Sequence, residues 1–204
     1  VIYLKKGFHL IAIDFVQSAL KRLKRANPST KLAACDIDDC SFPDDSFGAY
    51  LSHGVVEYFF HDPQGKIKEA CWCLKKGGIS LMMVPAKNFL SRSIHDPSNF
   101  LNQLRRDSLV CKGFNKPKLD YSMEYALSIK LHTRQEMCEI FKNMRCEVTV
   151  EEPVGNSFLI FVLSKIFQED SFGQTNTLAE ILGELLKRIF PWGTASHLLF
   201  VGRK

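Results

Sequence analysis

Residues 8–14 read Phe8-His9-Leu10-Ile11-Ala12-Ile13-Asp14, and residues 31–37 read Lys31-Leu32-Ala33-Ala34-Cys35-Asp36-Ile37. Each is a short apolar run closing on an aspartate, the pattern of a buried strand with a carboxylate at its C-terminal end. Between them, Ser18 to Ala26 places Ala19, Leu20 and Leu23 on one helical face and Lys21, Arg22, Lys24 and Arg25 largely on the other. Asn27-Pro28 ends that helix. Strand, helix, strand in this order is the unit from which parallel sheets are assembled.

The alternation continues outward. Val1 to Lys6 reads as the tail of a helix stopped by Gly7. Pro43-Asp44-Asp45 is a turn, and Phe47 to Ser52 is a strand. A helix is predicted over Gln64 to Lys75, with Ile67, Ala70, Cys71 and Leu74 at i, i+3, i+4, i+7 and Gly77-Gly78 as its stop. Ile79 to Val84 is an almost purely apolar strand. After Pro85 the regularity breaks, and 86–128, punctuated by Asp96-Pro97 and Lys116-Pro117, is expected to be an insertion. Thr133 with Glu136 is a capping box for a helix to about Met144, and Cys146 to Glu151 is a strand. A second insertion is expected over 153–193. It holds the apolar run Phe158 to Phe167 and a helix with Leu178, Ile181, Leu182, Leu185, Leu186 and Ile189 on one face. His197 to Val201 is the last strand. The expectation is an α/β fold: one domain over 1–204, a doubly wound, mostly parallel sheet with helices on both faces, and two insertions forming a partial cap.

Composition narrows the function classes. At 204 residues the chain can bury one sizeable core, and 46% hydrophobic with 24% charged residues is ordinary for a globular domain. The net charge of +5 is spread over helix faces, so no nucleic-acid partner is expected. No signal peptide is visible, and the run at Phe158 is about half the ~20 residues a membrane-spanning helix needs. Seven cysteines, an odd number set inside predicted strands and helices, point to reduced thiols and a cytoplasmic location. Cys71-Trp72-Cys73 lacks a second pair at zinc spacing, so no metal site is expected.

Position gives two acids a chemistry. In open parallel sheets, ligands bind beyond the C-terminal ends of the strands. There Asp14 can accept hydrogen bonds from the two vicinal hydroxyls of a ribose, or it can serve as a turn or cap residue. Asp36 can accept from an exocyclic amine, or close a turn.

The order of motifs is more specific than any one of them. Asp14 is followed by a helix, then Asp36-Ile37, then Asp39-Cys40-Ser41-Phe42-Pro43-Asp44-Asp45-Ser46-Phe47, then Ser52-His53-Gly54-Val55-Val56-Glu57-Tyr58, and finally Leu74-Lys75-Lys76-Gly77-Gly78-Ile79. This arrangement resembles the class I S-adenosylmethionine-dependent methyltransferases, within them the group that includes quinone-biosynthesis and other small-molecule enzymes. The resemblance covers residues 1–151 and the closing strand, and implies a Rossmann-like sheet whose last strand is antiparallel.

By that resemblance the cofactor is S-adenosyl-L-methionine. Asp14, with Phe15 after it, would sit at the ribose, and Asp36 and Ile37 at the adenine. Ser52, His53 and Gly54 would border the methionine part and the reacting methyl. The family's glycine-rich loop and the strand before it find no match in this sequence and are expected upstream of Val1. The expected activity is methyl transfer to a small-molecule acceptor, and the apolar second insertion suits a lipophilic acceptor, a membrane-surface enzyme or the core packing of a helical cap. His53, His61 and Glu57 lie near the right end of the sheet, but no catalytic base is assigned. Two other readings stay open: a nicotinamide-dependent oxidoreductase, which also places an acid after its second strand, and a methyltransferase-like module without activity.

Overall fold

A computed structural model of the chain describes residues 7–37, 42–58, 72–89, 91, 130–156 and 176–204. Within them, β1 (Ile11–Asp14) and β2 (Lys31–Ala34) pair in parallel, with Ile11 opposite Lys31 and Asp14 opposite Ala34. Helix α1 (Gln17–Ala26) makes the crossover, burying Leu20 and leaving its basic residues in solvent. The remaining strands form a second sheet: β3 (Phe47–His53), β4 (Leu74–Pro85), β5 (Glu147–Val154) and β6 (His197–Arg203), in the order β3-β4-β6-β5. β3 and β4 are parallel, and β6 runs antiparallel to both of its neighbours. The expected antiparallel last strand is therefore present.

The core lies on one face of this second sheet. Helix α2 (Arg134–Asn143) presents Met137, Ile140 and Phe141 to Met82, Val84, Leu198 and Phe200, all nearly inaccessible to solvent. Thr133 accepts from the Glu136 N–H, while the Glu136 side chain accepts from the Thr133 N–H, so the capping box exists as read. Phe141 stacks on Phe200 with ring centroids 5.9 Å apart. Gly202 makes that contact possible, since a Cβ there would lie 2.4 Å from Cδ1 of Phe141. Gly202→Ala is expected to destabilise the fold by about 1–3 kcal/mol through overpacking. An unchanged urea midpoint would contradict this.

Four expectations need correction. Leu74 and Lys75 do not end a helix, because they open β4. Gly77-Gly78 marks an irregularity in that strand: Phe47 pairs with Leu74 but Ala49 with Ile79, and Gly77 has φ +79. The rest of the predicted helix, 64–71, lies outside the described residues. β5 runs on through Pro153 to Val154, where the second insertion was expected to start. An edge strand tolerates proline because one side of its backbone needs no partner, and β5 is the sheet edge.

Helix α3 (Thr177–Ile189) exists, but its apolar arc is divided. Ala179 and Gly183 are buried, whereas Leu178, Ile181, Leu185 and Ile189 are 48–70% exposed. It leads into the short helix α4 (Pro191–Thr194). Finally, Cys35 is disulfide-bonded, which corrects the expectation of reduced thiols throughout, while Cys73, Cys138 and Cys146 form no disulfide. Of the first insertion only 86–89 and 91 are described, and the apolar run 158–167 lies outside the described residues. No helix among the described residues is long and apolar enough to cross a membrane.

Candidate functional site

A cavity of about 420 Å³ lies between β1 and β3. Its walls take six successive residues, His9 to Asp14, and Phe47, Ala49, Tyr50, Leu51 and His53 across from them. A cavity over a sheet face would be lined by alternate residues, since side chains point to opposite faces in turn. Successive residues mean that this cavity abuts the edge of β1. Among the described residues β1 pairs with β2 alone and β3 with β4 alone, so the cavity separates the two sheets. Among the described residues the sheet is interrupted here.

Three of the seven residues read from the sequence meet at this cavity: Asp14, Ile37 and His53. They come from the ends of β1, β2 and β3. Asp14 Oδ1 accepts the Val16 N–H at 2.8 Å, steadying the entry to α1, and Oδ2 makes no hydrogen bond among the described residues. Both readings of this aspartate are thus compatible with one carboxylate. Phe15 is 75% exposed and, like Asp36, is not on the cavity wall. Ser52 is buried toward the α2 face, beside Met82, because side chains alternate along β3, and its Oγ has no hydrogen-bond partner. Gly54 does not line the cavity either. Its φ of +73 lets the chain leave β3 and turn into the 3-10 turn Val56–Tyr58.

The sequence reading missed a polar group at the same end of the sheet. His197 opens β6 between Pro85 of β4 and Val154 of β5. Its ring lies 6.1 Å from that of His53, and Ser196 Oγ lies 2.8 Å from its Nδ1. Burial, with His53 adding to it, holds the His197 pKa below the ordinary imidazole value. Glu57 is buried with Oε2 unpartnered, and burial raises its pKa against the opposing pull of backbone N–H groups and of His53. His132 is wholly buried where its backbone pairs with Pro85 and Lys87, and neither ring nitrogen has a hydrogen-bond partner. Burial, then the charge of Lys130, brings its pKa down to about 4. A lone histidine opening a strand carries no motif, so only position could have pointed to His197. Among the described residues no group of three or more His, Cys, Asp or Glu side chains is placed to hold a metal ion.

Residues 1–82 match the family described as methyltransferase domain. The 2-methyl-6-phytyl-1,4-hydroquinone methyltransferase 2, chloroplastic, of Oryza sativa subsp. japonica is 41% identical over 64 residues, which is 31% of this chain and 18% of that protein. The corresponding methyltransferase 1 of the same plant is 38% identical over 64 residues, 31% of this chain and 19% of that protein. The match therefore spans less than a fifth of these curated relatives. Among solved structures, a SAM-dependent methyltransferase from Archaeoglobus fulgidus superposes with TM-score 0.60 at 11% identity, covering 100% of this chain and 79% of that one. Geranyl diphosphate C-methyltransferase from Streptomyces coelicolor A3(2) gives TM-score 0.57 at 14% identity, covering 99% and 64%. At such identities the likeness shows the fold, which is the Rossmann-like fold of these methyltransferases.

Proposed function

We propose that this chain carries the greater part of an S-adenosylmethionine-dependent methyltransferase acting on a small, lipophilic acceptor. The observation that supports it most is the meeting of Asp14, Ile37 and His53 at one cavity, from the ends of three strands. The residues present fit the cofactor. Asp14 Oδ2 makes no hydrogen bond among the described residues and can accept one from a ribose hydroxyl. Asp14 would hold the ribose, Ile37 would flank the adenine, and His53 would lie toward the reacting end. When bound, the cofactor supplies a methyl group on a sulfonium leaving group, and the protein's part is to orient the acceptor in line with it. We further propose that one more strand, bearing a glycine-rich loop, completes the domain by pairing between β1 and β3 along this cavity, leaving to the cofactor only the end beside Asp14 and His53.

A lipophilic acceptor is supported by the phytyl hydroquinone and geranyl diphosphate in the names of the similar proteins, and by the exposed apolar stripe of α3. A cytoplasmic location belongs to the same proposal: Cys73, Cys138 and Cys146, which form no disulfide, speak for it, and the disulfide at Cys35 against it. Titration of the intact protein with S-adenosylhomocysteine and, separately, with NADH tests the reading. Saturable binding of the first with none of the second is expected. NADH binding alone would establish the oxidoreductase reading, and binding of neither would leave a module without activity.

A further inference from the structure

The positive charge, expected from the sequence to be spread over helix faces, is concentrated in one segment. Residues 15–35 hold five of the 27 Lys and Arg residues and none of the 22 Asp and Glu, so the rest of the chain is balanced. Four of the five cations lie on α1. At 3.6 residues per turn, Lys21, Arg22 and Arg25 fall within an arc of about 100°, opposite buried Leu20 and half-buried Leu23. All three are exposed, and no acidic side chain pairs with them among the described residues. Lys24 lies outside that arc and donates to the Thr30 carbonyl at 2.9 Å. Folding gives no reason for this face. Lys21 and Arg25 are like charges at i, i+4, a spacing that costs helix stability. The helix dipole favours cations in the last turn, which holds Lys24 and Arg25 but neither Lys21 nor Arg22.

We propose that this face of α1 docks the protein on an anionic lipid surface. The choice of lipid rests on the lipophilic-acceptor reading above, since such an acceptor dissolves in a membrane rather than in water. A second observation supports it at the start of the same helix. Phe15 is 75% exposed, and Val16 beside it is 40% exposed. Exposed apolar side chains leading into a basic helix suit the headgroup boundary, where apolar groups bury and cations meet anionic headgroups. Asp14, directly before them, lines the cavity. Docking through α1 therefore holds the proposed site close to the layer that dissolves the acceptor. Nucleic-acid phosphates would match the cations alone and give Phe15 and Val16 nothing to bury against.

The intact protein is expected to cosediment with vesicles of equal parts phosphatidylcholine and phosphatidylserine, and not with vesicles of phosphatidylcholine alone. Salt at about 1 M, which shortens electrostatic reach to about 3 Å, should release it. Each cation near such a surface strengthens attachment about fivefold, so the triple variant Lys21→Gln, Arg22→Gln, Arg25→Gln should bind about a hundredfold more weakly. Glutamine is a good helix former and these positions are exposed, so the thermal melt should match that of the wild type. Lys75→Gln, Lys76→Gln, Lys142→Gln removes equal charge from exposed positions elsewhere and should keep most of the binding. Equal loss in the two variants, attachment to neither vesicle, or tighter binding to a DNA duplex than to the anionic vesicles at equal salt overturns the proposal. Vesicle attachment without S-adenosylhomocysteine binding leaves the docking face standing and overturns methyl transfer, and the converse result does the reverse.

Discussion

Between neutral pH and about pH 4, His132 by itself is expected to remove about 3 kcal/mol of folding stability. The ring is 0% exposed, with both nitrogens unpartnered, and its pKa falls from 6.5 to about 4 on folding. Above 6.5 both folded and unfolded states carry a neutral imidazole, so stability does not depend on this group. As pH drops through 6.5 the unfolded chain takes up a proton that the buried ring refuses, and the folded state loses ground at 1.36 kcal/mol per pH unit. The loss ends near 4, where the folded state is protonated as well.

Other groups also titrate in this range. Burial tends to raise the Glu136 pKa, but hydrogen bonds from Thr133 outweigh it, so the pKa is lowered and that carboxylate too loses stability in acid. Glu57, with its raised pKa, acts in the opposite sense. His132→Leu isolates the histidine. Urea denaturation near neutrality and at about pH 4 should show the variant losing about 2–3 kcal/mol less than the wild type. Parallel curves would show that the ring is not buried in neutral form.

Asp14→Ala is expected to weaken S-adenosylhomocysteine binding by about tenfold to a few hundredfold. The estimate follows from hydrogen bonds to a charged acceptor worth roughly 1.5–3 kcal/mol each, with 1.4 kcal/mol per factor of ten. The same substitution removes the Oδ1 bond to the Val16 N–H, which as a helix-entry contact is worth about 0.5–2 kcal/mol of stability. Asp14→Asn separates the two roles. Its amide oxygen can still accept from Val16, so the melt should stay close to that of the wild type. Its loss of charge should leave most of the affinity defect in place. Calorimetric titration beside a thermal melt reads both, and full affinity in Asp14→Ala would remove this residue from the binding site.

The secondary structure was legible where local signals agree. The runs ending at Asp14 and near Cys35, the helix ending at Asn27-Pro28, and the Thr133–Glu136 box all stand where apolar period and capping chemistry place them. Leu74 and Lys75 were misread because a helical apolar spacing and a glycine pair imitate a helix end, while the glycines serve a bulge in β4. Of the candidate residues, strand-end position pointed to Asp14 and the family resemblance to Ile37 and His53, and all three line the cavity, whereas Ser52 next to His53 is buried and does not, because side chains alternate along β3.

By itself, the sequence determined the order of strands and helices, the acids at the strand ends and the capping of α2, since each depends on residues a few positions apart. Only the tertiary structure decided that β6 enters between β4 and β5 and that His197 comes to lie beside His53. Those contacts join residues far apart in the chain. They arise from burying one sheet face under Met137, Ile140 and Phe141, a requirement that no local pattern records.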